Sequence, residues 1–170
     1  MGRMTDMTVE ERLREMEIEL FPDISPIGNY VPFVRTGNLI WVSGQGPGIK
    51  GEYIDYIGKV GGGISKEKAK EAARATAVNL ISILKNAAGD LDRIERIVSV
   101  HGYVNSTPDF TEQPYVIDGA SELLVDLFGV PAGRIDVVYN GVDASFCPAP
   151  RPAVEAFRRD KGLPERYILH

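Results

Sequence analysis

The chain has 170 residues, 44% of them hydrophobic and 25% charged, with a formal net charge of -5. That is one domain's worth of sequence with enough apolar content for a core. No apolar run approaches the ~18 residues of a membrane span. The N-terminal twenty residues interleave acids and bases where a secretory signal would be uniformly apolar. The net negative charge argues against nucleic acid as the main partner. A single cysteine, Cys147, excludes an internal disulfide framework, and two histidines, His101 and His170, do not make a multi-histidine metal site. A cytosolic protein without metal or cofactor is the expectation.

In chain order, Thr8-Val9-Glu10-Glu11 has the form of a capping box, and Val9, Leu13, Met16 and Leu20 share a helical face. A helix to about Leu20 is expected, ended by Phe21-Pro22-Asp23. Residues 31–35 and 38–43 read as strands joined by a tight turn at Thr36-Gly37. Leu39, Trp41 and Ser43 face one way and Ile40 and Val42 the other. With apolar residues on both faces, the second strand is expected to be central in its sheet. It runs into Ser43-Gly44-Gln45-Gly46-Pro47, where the backbone is bared by glycines. Residues 52–58 suggest a weaker strand, and Gly61-Gly62-Gly63 a flexible connector without the lysine of a phosphate-binding loop.

Ser65 is the predicted N-cap of a long helix to about Ala87, with Ala69, Ala72, Ala73, Thr76, Leu80 and Ile83 or Leu84 on one face and Gly89-Asp90 as its stop. Residues 94–104 (IERIVSVHGYV) are rich in β-branched residues and read as a strand. A second core helix follows Pro114, with Val116, Ile117, Ala120, Leu123, Leu124, Leu127 and Phe128 inward and Gly129 at its C-terminal cap. Residues 135–139 read as a strand. The stretch 152–162 favours a helix, with Pro152 at its first turn and Gly162 past its end. The order predicts an α+β fold, a mixed sheet with two helices packed on one face, a helical N-terminal extension (1–26), a main domain (27–139) and an atypical tail (140–170). An uncovered sheet face makes a homo-oligomer the expectation.

Several of these segments resemble the RidA (YjgF) family, also labelled endoribonuclease L-PSP. They are Ile27-Gly28-Asn29-Tyr30, the run 34–47 (VRTGNLIWVSGQGP), the helix 73–80 (ARATAVNL) with 87–92 (AAGDLD), Val98 to Val104, and GASELLVDLFG at 119–129. The long N-terminal preface and the wording VIDGASELL mark a divergent subgroup. The resemblance implies a chorismate-mutase-like fold, a homotrimer with clefts at subunit interfaces, and cofactor-free hydrolysis of 2-aminoacrylate-type enamines and imines to 2-keto acids and ammonia.

Carried over by position, the resemblance makes Tyr30 a cleft tyrosine, Gly44 a backbone donor with Ser43 beside it, and Arg134 the clamp on a substrate carboxylate. Glu155 falls on a faint echo of the closing strand and would activate water. Asp118 stands where many members have asparagine, and an ionised carboxylate there would repel a carboxylate substrate. Residues 130–170 depart from the pattern and resemble instead the inter-domain segment of a GT-B glycosyltransferase (RIDVVYNGVD, LPERYIL). A trimeric small-molecule binding module without turnover is the alternative reading; ribonuclease activity ranks below both, since no His-based acid–base pair is visible.

Overall fold

The computed structural model describes residues 7–22, 24–48 and 56–129. All lie in the first of two compact units of the chain, Met1–Val137. The second unit, including the predicted helix at 152–162, and the residues from 130 onward lie outside the described set, as do most of the residues of the predicted strand at 52–58.

Helix α1 (Val9–Glu15) begins at the predicted capping box. The Thr8 hydroxyl accepts from the Glu11 backbone N–H at 3.2 Å, and the Glu11 carboxylate accepts from the Thr8 N–H at 2.9 Å. The helix ends earlier than the apolar spacing suggests. Glu17 adopts φ +52, and the N–H groups of Glu17 and Ile18 return to the carbonyls of Arg14 and Leu13. This is the Schellman closure, with Ile18 and Leu13 packed in the same cluster. The apolar stripe continues past the helix because Ile18 and Leu20 still pack against the core from irregular backbone.

Helix α2 (Lys66–Ala88) has Ser65 as its N-cap, accepting from Lys68 N–H at 3.1 Å, and stops at Gly89 with φ +78. Helix α3 (Gln113–Phe128) carries Pro114 in its first turn and stops at Gly129 in the left-handed region. Between them a 3-10 turn (Leu91–Arg93) is capped by the Asp90 carboxylate.

Helices α2 and α3 pack along each other, and their contact supplies the core: Ala77, Ile81, Leu123, Leu124 and Leu127, joined by Val9 and Leu13 of α1 and Leu91. A smaller cluster of Val60, Ala69 and Val116 lies nearer the start of the helix pair. Of the expected inward set on α3, Val116, Ala120, Leu123, Leu124 and Leu127 are buried, and Ile117 and Phe128 are half-buried. On α2 the expected stripe holds in part: Ala69 and Ile83 are buried, Ala72, Ala73, Thr76 and Leu80 are half-buried, and Ala77 and Ile81, outside it, are buried. A 23-residue helix packed by α3 on one side and by chain segments on another buries more than one stripe.

The helices approach closely because Gly119 has no side chain. A Cβ there would stand 2.1 Å from the Lys70 carbonyl oxygen of α2. Helix α1 is stapled to this pair. The Arg12 guanidinium donates to the Leu127 carbonyl at 2.7 Å at the end of α3, where α3 itself has no basic residue in its last turn. Glu10 accepts from the Leu91 N–H at 2.9 Å and pairs with Lys85. The following segment is held along α2 by Phe21 N–H to Ser82 Oγ, 3.1 Å, and Asn86 Nδ2 to the Pro22 carbonyl, 2.8 Å.

Strands β1 (Phe33–Thr36) and β2 (Leu39–Val42) form an antiparallel hairpin with Phe33 opposite Val42 and Thr36 opposite Leu39. Gly37 takes φ +55 in the turn, as a two-residue connection requires. Both strands pack against α2. The alternation is as the sequence implies, with Ile40 and Val42 half-buried, but the second face is not covered. Leu39 and the cross-strand pair Val34 and Trp41 are exposed, Trp41 at 54%. The expectation of a strand buried on both faces is therefore corrected: among the described residues β2 has one strand neighbour and one covered face. Residues 94–104 likewise carry no strand ladder among the described residues, and Val98, Val100 and Tyr103 are exposed, Tyr103 at 82%. Their β-branched character makes strand geometry cheap but does not supply a partner.

The glycine triplet is not a loose connector. Gly61 (φ +84) and Gly63 (φ +141) shape a turn in which the Lys59 carbonyl accepts from Gly62 and Ile64 N–H. Cβ atoms on Gly61 or Gly62 would come within 2.6 and 2.9 Å of the Thr107 side chain. Val60 is tied to the other side of the fold through Val60 N–H to the Asn105 carbonyl and Thr107 N–H to the Val60 carbonyl, each 2.9 Å.

Gly119→Ala is expected to cost about 1–3 kcal/mol or more, because the methyl meets rigid helix backbone rather than a mobile side chain. Urea unfolding of the two proteins measures it; a loss below about 0.5 kcal/mol would mean the helices separate freely at this point.

Candidate functional site

The bared turn after β2 is built in two layers. The hairpin continues one residue past the strand: Ser43 N–H donates to the Pro32 carbonyl at 3.0 Å, and Ser43 Oγ donates to the Val31 carbonyl at 2.6 Å. Both donors of Ser43 are thus spent on the 31–32 segment, so its hydroxyl acts as a strut. These two bonds bring the Tyr30 segment alongside Ser43-Gly44. Tyr30 itself is exposed; its N–H donates to the Gly28 carbonyl at 3.0 Å, and a Cβ on Gly28 would lie 3.2 Å from the tyrosine ring. The ring therefore folds back over Gly28 while its other face stays open.

Gly44 differs from most glycines in the chain. Its φ lies outside the left-handed region, and no described atom stands within 4 Å of where a Cβ would be. Among the described residues, neither backbone conformation nor packing requires glycine there.

The far end of the turn is anchored from α2. Asn79 is 3% exposed, and its Nδ2 donates to the carbonyls of Gly46 and Gly48, both at 2.9 Å. Sequence reasoning gave Asn79 no role. Its signal was visible: a lone amide between Val78 and Leu80 on a helix that otherwise turns apolar or small residues inward.

Asp118 is half-buried on α3, where its charge reaches the Lys70 ammonium of α2. That side of the helix pair carries a shallow groove of about 240 Å³ lined by Glu67, Lys70, Arg74, Tyr115, Gly119 and Glu122, among others. The ammonium groups of Lys66 and Lys70 lie 5.1 and 5.0 Å from the Tyr115 ring centre. Lys70 has its pKa raised above the usual 10.5, chiefly by its 2.8 Å hydrogen bond to Glu122, with Asp118 a lesser contributor. Lys66 is raised mainly by its 2.6 Å bond to Glu112. These pairs clamp α2 to α3 and leave both lysines charged at neutral pH. Ser99 Oγ and His101 Nε2 are 2.9 Å apart and exposed, with no third group among the described residues to orient them. Arg134 and Glu155 lie outside the described residues, as does Cys147. Among the described residues no cluster of three or more His, Cys, Asp or Glu side chains could hold a metal ion, and no helix is long and apolar enough to cross a membrane.

A sheet packed on a helix pair, with a bared turn at the end of its second strand, is the arrangement of a known class. Residues 10–142 match the family described as "YjgF/chorismate_mutase-like, putative endoribonuclease". A curated relative, Protein TCP17 of Trypanosoma cruzi, is 39% identical over 127 residues, spanning 74% of this chain and 78% of its own. Two crystal structures are similar. The Agrobacterium tumefaciens protein Atu1372, of unknown function, has a TM-score of 0.63 and 41% identity over 75% of this chain and 76% of its own. A protein of Shewanella oneidensis MR-1 titled as a putative endoribonuclease has a TM-score of 0.65 and 34% identity over 72% and 81%. The chain belongs to the YjgF/chorismate-mutase-like family and has its α+β fold. The match begins within α1 and extends to residue 142, beyond the segments between Ile27 and Gly129 that carry the resemblance in the sequence. The glycosyltransferase resemblance of residues 130–170 draws no support from these comparisons.

Gly44→Ala is expected to fold normally and to be stabilised by roughly 0.4–1 kcal/mol through a less flexible unfolded chain. Thermal unfolding checks this; a destabilised variant would show that packing within the subunit, rather than an outside group, holds this position to glycine.

Proposed function

We propose that this protein hydrolyses reactive enamines and imines of the 2-aminoacrylate type, without metal or organic cofactor, in clefts between the subunits of a homotrimer in the cytosol. The observation that carries the reading is Gly44, a glycine that neither φ nor local packing explains, at the mouth of a turn braced on both sides. Its N–H has no hydrogen-bond partner among the described residues, so it could meet developing charge on a substrate, and the absence of a side chain lets the substrate approach the backbone. Membership of the YjgF/chorismate-mutase-like family is in keeping with this reading.

The chemistry asks little of the protein. The enamine tautomerises to an imine whose carbon is already electrophilic. Water adds across the C=N bond, hydroxyl to carbon and proton to nitrogen; the C–N bond then breaks as the hydroxyl proton passes to nitrogen, releasing ammonia and a 2-keto acid. In this reading the Arg134 guanidinium grips the substrate carboxylate in bidentate fashion, Glu155 takes the proton of the attacking water, and Tyr30 and Gly44 donate hydrogen bonds. The exposed apolar residues Val34, Leu39, Trp41, Val98, Val100 and Tyr103 support burial against further subunits, since a monomer rarely leaves so many open.

Asp118 favours a second reading, a trimeric binding module with little or no turnover. A carboxylate at the cleft would disfavour a carboxylate-bearing substrate unless Lys70 offsets it. The endoribonuclease label belongs to the family description, and the net charge of -5 weighs against RNA here.

Enzymatically generated 2-aminoacrylate separates the readings. Wild-type protein is expected to accelerate keto-acid release, Arg134→Ala to lower kcat/KM by roughly tenfold or more, and Gly44→Val to do likewise by obstructing the donor. No acceleration by the wild type would overturn the deaminase reading and leave the binding module; an unaffected Arg134→Ala would remove that residue from the site.

A further inference from the structure

We infer that Asn79 is a positioning residue of the candidate cleft: from inside α2 it fixes where the Gly44–Gly48 turn lies. The inference deepens the location proposed above and rests on it for its functional consequence, although its structural content stands alone. Three observations converge. Asn79 is nearly inaccessible to solvent, on the part of α2 where Ala77, Ile81, Ser82 and Ile83 are also buried. A buried primary amide is costly unless its hydrogens are used, and both of these are, on two carbonyls of one turn. The two carbonyls, Gly46 and Gly48, flank Pro47, which fixes its own φ and has no N–H to anchor the turn by itself.

The turn therefore has two fixed ends. Ser43 holds the near end to residues 31–32 with both its donors, and Asn79 holds the far end to α2. Gly44 and Gln45 are the span between them. Among the described residues the Gln45 amide reaches the Ser43 carbonyl alone, at 3.4 Å, a weak bond for fixing the span from within. Releasing the far end should let Gly44 swing about the Ser43 anchor, while a core defect of equal size elsewhere should not. Asn79 need not touch substrate, and its effect should be on substrate positioning.

The test compares Asn79→Leu, which fills the same space but leaves two carbonyls unpaired, with Leu123→Ala, which opens the α2–α3 core away from the turn. Backbone 15N relaxation at Gly44, Gly46 and Gly48 is measured in full-length protein. Asn79→Leu is expected to lower their order parameters from about 0.85 to below about 0.6, and Leu123→Ala to leave them unchanged at comparable loss of Tm. With 2-aminoacrylate, Asn79→Leu is expected to raise KM several-fold more than it lowers kcat. Rigid glycines in Asn79→Leu, or equal loosening in both variants, would overturn the inference. Should the wild type prove inactive on 2-aminoacrylate, the proposed reaction falls, while the order parameters still decide the role of Asn79.

Discussion

The fold depends on two helix backbones being allowed to touch. Gly119 places α3 against the Lys70 carbonyl of α2, at a distance where no other residue fits. From that contact the rest follows in order. Downstream along the pair, Ala77, Ile81, Leu123 and Leu127 interlock, and α1 covers their remaining side through Val9 and Leu13. Salt bridges from Lys66 and Lys70 to Glu112 and Glu122 span the same two helices on the solvent side, but they are partly exposed and add little by comparison. The helix pair then offers α2 as the platform on which the hairpin rests.

The candidate site is an extension of that platform. Ser43 and Asn79 spend their polar groups on the backbone of a single turn, so the position of Gly44 is tied to the hairpin on one side and to the core on the other. A donor that must meet charge developing during a reaction is useful only if it is held in place beforehand. Rigid support beneath a bare glycine is what such a donor would need. Of the side chains expected on the far wall, Arg134 lies within the family match and Glu155 beyond its end.

Local chemistry was the legible part of the sequence. The Thr8–Glu11 box, Ser65, Gly89 and Gly129 each announced a helix end through a bond the backbone needs, and each makes it. The inward set of α3 could be read because both of its neighbours, α2 and α1, pack against one face, from Val116 to Leu127. Helix α2 misled because it is covered from more than one side, so no single stripe describes it. Trp41 misled for another reason: an apolar residue on a strand says that the face wants covering, not that the same subunit covers it. The glycine triplet looked like a linker because close packing against Thr107 has no sequence signature. Asn79 was overlooked because its partners are backbone carbonyls of glycines thirty residues away, which no spacing rule connects.

The central claim is that the Tyr30–Ser43–Gly44 turn is the wall of a small-molecule cleft. Titration of 15N-labelled protein with pyruvate, the keto acid formed from 2-aminoacrylate, tests it most directly. Saturable shifts concentrated at Tyr30, Ser43, Gly44 and Gln45 are expected. Shifts confined to the groove beside Tyr115 and Glu122, or none at all up to millimolar ligand, would contradict it.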